Sequence, residues 1–221
     1  MKKKLTVLTV GVAISLFAAQ ATSAAQVTVN SFTTSNDLFG LSYSEYDPST
    51  STTTFYLDVS AFVAEYPSDT PTPFLDRKFD TISFELLAAP NERITKVSYA
   101  EGLETVVSEG IAYTSSTGSA VINNVTNSLG IFNQLEPTTG TSFELKTSYN
   151  IPGMENEVDV SITNDILAFA FGDDAHARVQ KQYAMMEVKS SAVPIPATLW
   201  LFGSAIAGLA ATRRKRQEVS E

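Results

Sequence analysis

Apolar residues recur at every second position through most of this chain. Phe39-Leu41-Tyr43, Phe55-Leu57-Val59, Ile82-Phe84-Leu86 and Val158-Val160-Ile162 all follow the pattern. Period two buries one face of a strand and wets the other, because successive side chains point to opposite sides. Strand-like runs fall at about 27–32, 39–46, 53–62, 81–87, 94–99, 111–114, 120–123, 142–149, 158–163, 166–171 and 179–188. Turn-forming triplets separate many of them: Asp47-Pro48-Ser49, Ala89-Pro90-Asn91, Ser116-Thr117-Gly118 and Ile151-Pro152-Gly153. Many short strands at this spacing predict an all-β fold, a single antiparallel β-sandwich or jelly-roll domain. Tyr66–Pro73, with Pro67, Pro71 and Pro73, reads as a surface loop. The polar stretch Gly110–Gly140 admits either two strands and a loop or a short helix around Val125–Phe132.

The two ends have a different character. Lys2-Lys3-Lys4 precedes an uncharged run from Leu5 to Ala19, and Ala21-Thr22-Ser23-Ala24-Ala25 follows. That order reads as a secretory signal peptide over residues 1–25, cleaved after Ala25, with cleavage after Ala21 as the alternative. At the other end, Ser190 to Thr212 carries no charge, and Arg213-Arg214-Lys215-Arg216 follows. Pro194 and Pro196 disfavour helix through themselves, so a helix is expected over 197–212. Sixteen residues rise about 24 Å, a thin but workable transmembrane span if the basic end snorkels. The basic cluster 213–216 would stay cytoplasmic, leaving the bulk of the chain outside. An ordinary stop-transfer anchor would have the same composition.

Val193-Pro194-Ile195-Pro196-Ala197, the block Leu199-Trp200-Leu201-Phe202-Gly203-Ser204, the pair Gly208-Leu209 and the closing basic run stand in a fixed order. Together they resemble the PEP-CTERM sorting signal. Ile195 occupies the place of the glutamate that names the motif, as in a variant subclass with an apolar middle residue. The resemblance covers the segment 190–221. It implies an inner-membrane intermediate, processing at or near Val193–Ala197 by an exosortase-type enzyme, and delivery to the cell surface or extracellular matrix. In that family, exopolysaccharide and biofilm are the setting. The resemblance implies nothing about residues 26–189 beyond their being exported cargo.

Removing 1–25 and 194–221 leaves 168 residues, the size of one domain. What remains has 8 basic and 22 acidic residues, a net charge of −14. Such a surface repels nucleic acid and anionic membranes. There is no cysteine, so disulfides, thiol chemistry and thiolate metal sites are excluded.

The search for chemistry finds few anchors. His176 is the only histidine, and no Gly-x-Ser-x-Gly elbow accompanies it. Asp173 and Asp174 could offer oxygen ligands to calcium, but no Asp-x-Asp-x-Asp loop is present, and a solvated turn is the simpler reading. No other cofactor is indicated. Tyr43, Tyr46, Tyr56, Tyr99 and Tyr113 could form a sugar-stacking face or could pack in strands. The expectation is an exported, non-enzymatic surface or matrix protein. A membrane-anchored polysaccharide-binding module is the alternative, and a secreted hydrolase ranks below both.

Overall fold

The computed structural model describes residues 27–66, 74–108, 110–172, 174–193, 201–202 and 204–206. The strands are β1 (Thr28–Thr34), β2 (Gly40–Asp47), β3 (Thr52–Asp58), β4 (Val63–Tyr66), β5 (Phe74–Leu87), β6 (Glu92–Val107), β7 (Ile111–Ile122), β8 (Val125–Gln134), β9 (Thr138–Glu155), β10 (Glu157–Phe171) and β11 (Ala177–Ala192). They build an all-β, jelly-roll-like pair of antiparallel sheets. One sheet has the order β1-β5-β10-β7-β8. The other has the order β2-β3-β11-β6-β9, with β4 also pairing β11.

Alternation decides which way each strand faces. In β10, Val158, Val160, Ile162, Asn164, Ile166, Ala168 and Ala170 all point inward. In β5, Asp80, Ile82, Phe84 and Leu86 do the same. Opposite them lie Ile94, Val97, Tyr99 and Leu103 of β6 and Val179, Ala184, Met186 and Val188 of β11. Burying each large aliphatic or aromatic side chain contributes about 1.5–3 kcal/mol, so the contiguous cluster between the sheets is the main source of stability.

Asp80 is a polar exception within that core, with 0 % exposure. Its Oδ1 accepts hydrogen bonds from Ser35 N, Ser35 Oγ and Asn36 N, and its Oδ2 from Leu38 N and Phe39 N. The carboxylate thus holds the whole β1–β2 turn against β5. Burial pushes its pKa upward, but the hydrogen bonds from Ser35, Asn36 and Leu38 outweigh burial and leave it below the ordinary carboxylate value.

Several local expectations are corrected. Ser116-Thr117-Gly118 is not a turn: 111–114 and 120–122 are parts of one strand, β7, and Asn123 lies in the turn after it. Gly118 is required there by packing, since a Cβ would stand 2.7 Å from Leu129 Cδ1 and 2.9 Å from Asn164 Oδ1. Runs 158–163 and 166–171 likewise join into β10. The segment 125–132 is strand β8, not helix. The run 53–62 ends at Asp58, where Ser60 N bonds Asp58 Oδ1 and turns the chain into β4. Pro152 lies within β9, at the edge of its sheet, where a missing N–H is tolerated. There the ladder jumps from Asn150 to Glu155, and Met154 adopts φ 49°.

Residues 192–221 form a separate unit. Within it Leu201, Phe202 and Ser204–Ile206 are helical, and Leu201 and Phe202 are each 67 % exposed. Among the described residues no helix is long and apolar enough to cross a membrane. The expected span 197–212 extends beyond the described residues, as do the signal peptide and most of the loop 66–73.

Candidate functional site on the outer face of the six-stranded sheet

The last strand of the sandwich sets up this face. In β11 the inward series Ala177, Val179, Lys181 is followed by two outward residues, Gln182 and Tyr183, before Ala184, Met186 and Val188 turn inward again. The doubled step swings the Tyr183 ring over Gly102 of β6, where a Cβ would overlap it. From there the Tyr183 hydroxyl donates to Glu144 Oε2 on β9 at 2.9 Å. Lys146 Nζ pairs with Glu144 Oε1 at 2.8 Å. Partial burial, then the Glu144 hydrogen bond, raises the Tyr183 phenol above its ordinary value. The hydrogen bond from Lys146, then that from Tyr183, holds Glu144 below its own.

A second aromatic group lies on the same face. Cross-strand register places Tyr43 of β2 beside Tyr56 of β3, and Tyr56 beside Met185 of β11. The two rings stack at 4.4 Å with 18° between planes, and Tyr43 is 56 % exposed. Next to Met185 is a shallow groove of about 530 Å³, lined by Lys96, Ser98, Ala100, Lys146, Ser148 and Glu187 among others. From β2 to β9 the face crosses four strand spacings, about 19 Å at about 4.8 Å each. Gln180 and Gln182 both donate to Glu104 Oε2 alongside it. Exposed aromatic faces, a soft thioether and many hydrogen-bonding tips suit a flat, hydroxyl-rich ligand.

Gly102→Ala is expected to lift the Tyr183 ring from the sheet and break its bond to Glu144. The stability loss should be about 1 kcal/mol, since the ring can swing into solvent. Urea midpoints of the Gly102→Ala and Tyr183→Phe chains check it.

The five tyrosines singled out in the sequence divide. Tyr43 and Tyr56 form the stacked pair. Tyr46 is half-buried near the end of β2. Tyr99 is in the core. Tyr113 packs on Phe169, 5.3 Å away, in the other sheet. His176 Nε2 stands 3.4 Å from Glu65 Oε1, and its backbone N–H bonds Ser108 Oγ at 2.5 Å. Ser108 Oγ in turn donates to the Asp174 carbonyl at 3.0 Å. Asp174 is exposed, and among the described residues no group of three or more acidic or histidine side chains could hold a metal. On the outer face of the five-stranded sheet, Glu85 accepts from Asn30 at 2.8 Å, and its hydrogen bond to Glu157 raises the Glu157 pKa. Thr81 and Thr163 hydroxyls pair at 3.0 Å, and those of Ser83 and Ser161 at 3.3 Å, on the same hydroxyl-rich face.

Sequence reading missed a buried polar cluster between the sheets. Lys181 Nζ lies 2.6 Å from Glu101 Oε2 and 3.0 Å from Asn164 Oδ1. Tyr99 donates its hydroxyl to Glu101 Oε2 at 2.7 Å. Nζ sits 5.0 Å from the Phe62 ring centre and 5.7 Å from that of Phe39. Glu101 and Asn164 are 0 % exposed and Lys181 5 %. Burial pushes the Lys181 ammonium below its ordinary value, with Glu101 pulling the other way. Glu101 Oε1 has no hydrogen-bond partner among the described residues.

Of the sorting residues, Val193 is described and half-buried just past β11. Pro194, Ile195, Pro196, Ala197, Ala25, Asp173 and the cluster Arg213, Arg214, Lys215, Arg216 lie outside the described residues.

No family model matches the chain, and no curated protein matches it. Some solved structures are weakly similar to it. A structure of infectious bursal disease virus, Gx strain, is similar at 12% identity and TM-score 0.30 over 59% of this chain and 32% of that one. The chain therefore spans about a third of that protein's length. TmCBM61, solved in complex with β-1,4-galactotriose, is similar at 11% identity and TM-score 0.24 over 74% of this chain and 88% of that one. Eiger TNF from S. frugiperda is similar at 8% identity and TM-score 0.24 over 61% of this chain and 96% of that one.

Proposed function

We propose that this chain is an exported, non-enzymatic surface or matrix protein whose sandwich binds polysaccharide on the outer face of its six-stranded sheet. One observation carries the binding reading: Tyr43, Tyr56, Met185 and Tyr183 share an outward face with a groove rimmed by lysine and carboxylate side chains. Stacked rings present a rigid apolar surface to the C–H face of a sugar. Glu144, Lys146, Ser148 and Glu187 are placed to exchange hydrogen bonds with its hydroxyls. No metal is needed for such binding.

The export reading rests on the two ends of the sequence. Lys2-Lys3-Lys4 with its apolar run sends the chain across the membrane. The C-terminal segment holds it until an exosortase-type enzyme acts at Val193–Ala197. The hydroxyl-rich face on the other sheet is then a surface open to glycosylation. Mass spectrometry of the protein from the host envelope and medium tests this half. A chain ending near 193–197 supports it, and a chain that keeps Arg213–Glu221 contradicts it.

Binding is tested by retention on the host's own exopolysaccharide in affinity electrophoresis. Removing both rings of the stacked pair, Tyr43→Ala with Tyr56→Ala, should weaken retention about tenfold, from about 0.5–1.5 kcal/mol per aromatic contact. Equal retention of the wild-type and doubly substituted chains would contradict the assignment of the face.

A further inference from the structure

The cluster between the sheets is a reactive grouping as well as an ion pair. It brings an amine, a carboxamide and a carboxylate together in a water-poor space walled by Phe39 and Phe62. We propose that Lys181 and Asn164 join in an amide cross-link, formed within the folded chain with Glu101 as the proton carrier. The bond would tie β11 of one sheet to β10 of the other.

The geometry supplies each part. Lys181 Nζ lies 3.0 Å from Asn164 Oδ1, and the amide carbon is one bond, about 1.2 Å, beyond that oxygen. A small rotation of the lysine tip brings Nζ to Cγ. Glu101 Oε2 is 2.6 Å from Nζ, within reach of its proton. Burial disfavours the ammonium form, which favours the nucleophilic amine. Glu101 Oε1, buried and with no hydrogen-bond partner among the described residues, is placed to carry a proton. Tyr99 steadies the carboxyl from the other side.

The step balances without an oxidant or a co-reactant. Nζ gives one proton to Glu101, and its lone pair forms the bond to Cγ. A second Nζ proton passes through Glu101 to Nδ2 as the Cγ–Nδ2 bond breaks. Ammonia leaves as the neutral molecule, and Glu101 keeps the remaining proton as an uncharged carboxylic acid beside the new amide. The product is a secondary amide between the two side chains. In a chain with no cysteine, such a bond would supply a covalent brace independent of redox conditions.

The test uses the full chain, recovered from its host and digested with trypsin after denaturation. The cross-link predicts residues 147–178 joined to residues 179–189, with Lys181 uncleaved. The joined pair should be one ammonia, about 17 Da, lighter than the sum of its parts. In Lys181→Arg, residues 147–178 should appear alone at full mass. Free peptide 182–189 beside unmodified 147–178 in the folded wild type would overturn the proposal. So would an ammonia loss that persists within 147–178 of Lys181→Arg, which would mark cyclisation at Asn164 alone.

Discussion

A Lys181→Met chain is expected to lose about 3–5 kcal/mol of folding stability relative to the wild type. The methionine fills most of the lysine's space, so packing changes little. What changes is charge: Glu101 would be left in a site with 0 % exposure, its Oε2 bonded only by Tyr99. An isolated buried carboxylate must either take up a proton or draw water into the core, and both are unfavourable. Replacing both charges, Lys181→Met with Glu101→Gln, should recover much of the loss, since the amide keeps the Tyr99 contact without a charge to solvate. A cross-linked wild type would widen the gap, because joining residues 17 apart restricts the unfolded chain. Urea unfolding of the wild type, the single variant and the pair measures this. A single variant as stable as the wild type would show that the pair is not held as described.

Asp80→Ala is expected to be nearly as damaging, at about 3 kcal/mol. Five hydrogen bonds end on this carboxylate, four of them from backbone N–H groups of residues 35–39. Without it the Asn36, Leu38 and Phe39 donors stay partly buried and unpaired, Ser35 N keeps its bond to the Thr81 carbonyl, and Phe39, which packs edge-on to Phe62 at 4.8 Å, loses its tether. The same residue sets an acid limit. Its folded pKa lies below the ordinary value, so its contribution is complete above the unfolded value of about 3.9 and fades as pH falls toward the folded one. Urea midpoints for the wild type should fall below about pH 4. Asp80→Asn, already less stable at pH 7, should lack that part of the decline. A parallel decline in both chains would assign the acid sensitivity elsewhere.

The fold was legible where alternation ran unbroken. Val158-Val160-Ile162 and Ile82-Phe84-Leu86 face the core as period two requires. Alternation misled where a polar residue occupied an inward position. Asn164 keeps the phase of Val160 and Ile162, yet its polarity split one strand into two. Glu101, between Tyr99 and Leu103, and Lys181, after Val179, also sit in phase with apolar neighbours. Opposite charges at inward positions must find each other, so their pairing could have been read from phase alone. Tyr183 was harder to place. It faces outward only because β11 doubles a step at Gln182, and nothing in the local sequence marks that irregularity. Gly102 gave a fainter signal, a glycine within an alternating strand, where a close neighbour is expected. The stacked Tyr43 and Tyr56 required the β2–β3 register, which a one-residue irregularity after Leu41 shifts.

The most direct test of the binding face follows the methionine methyl groups by NMR while host exopolysaccharide fragments are titrated in. Met185 lies on the proposed face beside Tyr56, whereas Met186, the next residue, is 0 % exposed in the core. The proposed function predicts a saturable shift of the Met185 methyl, with Met186 nearly still. An unmoved Met185, with fragments bound by the chain elsewhere or not at all, would contradict it.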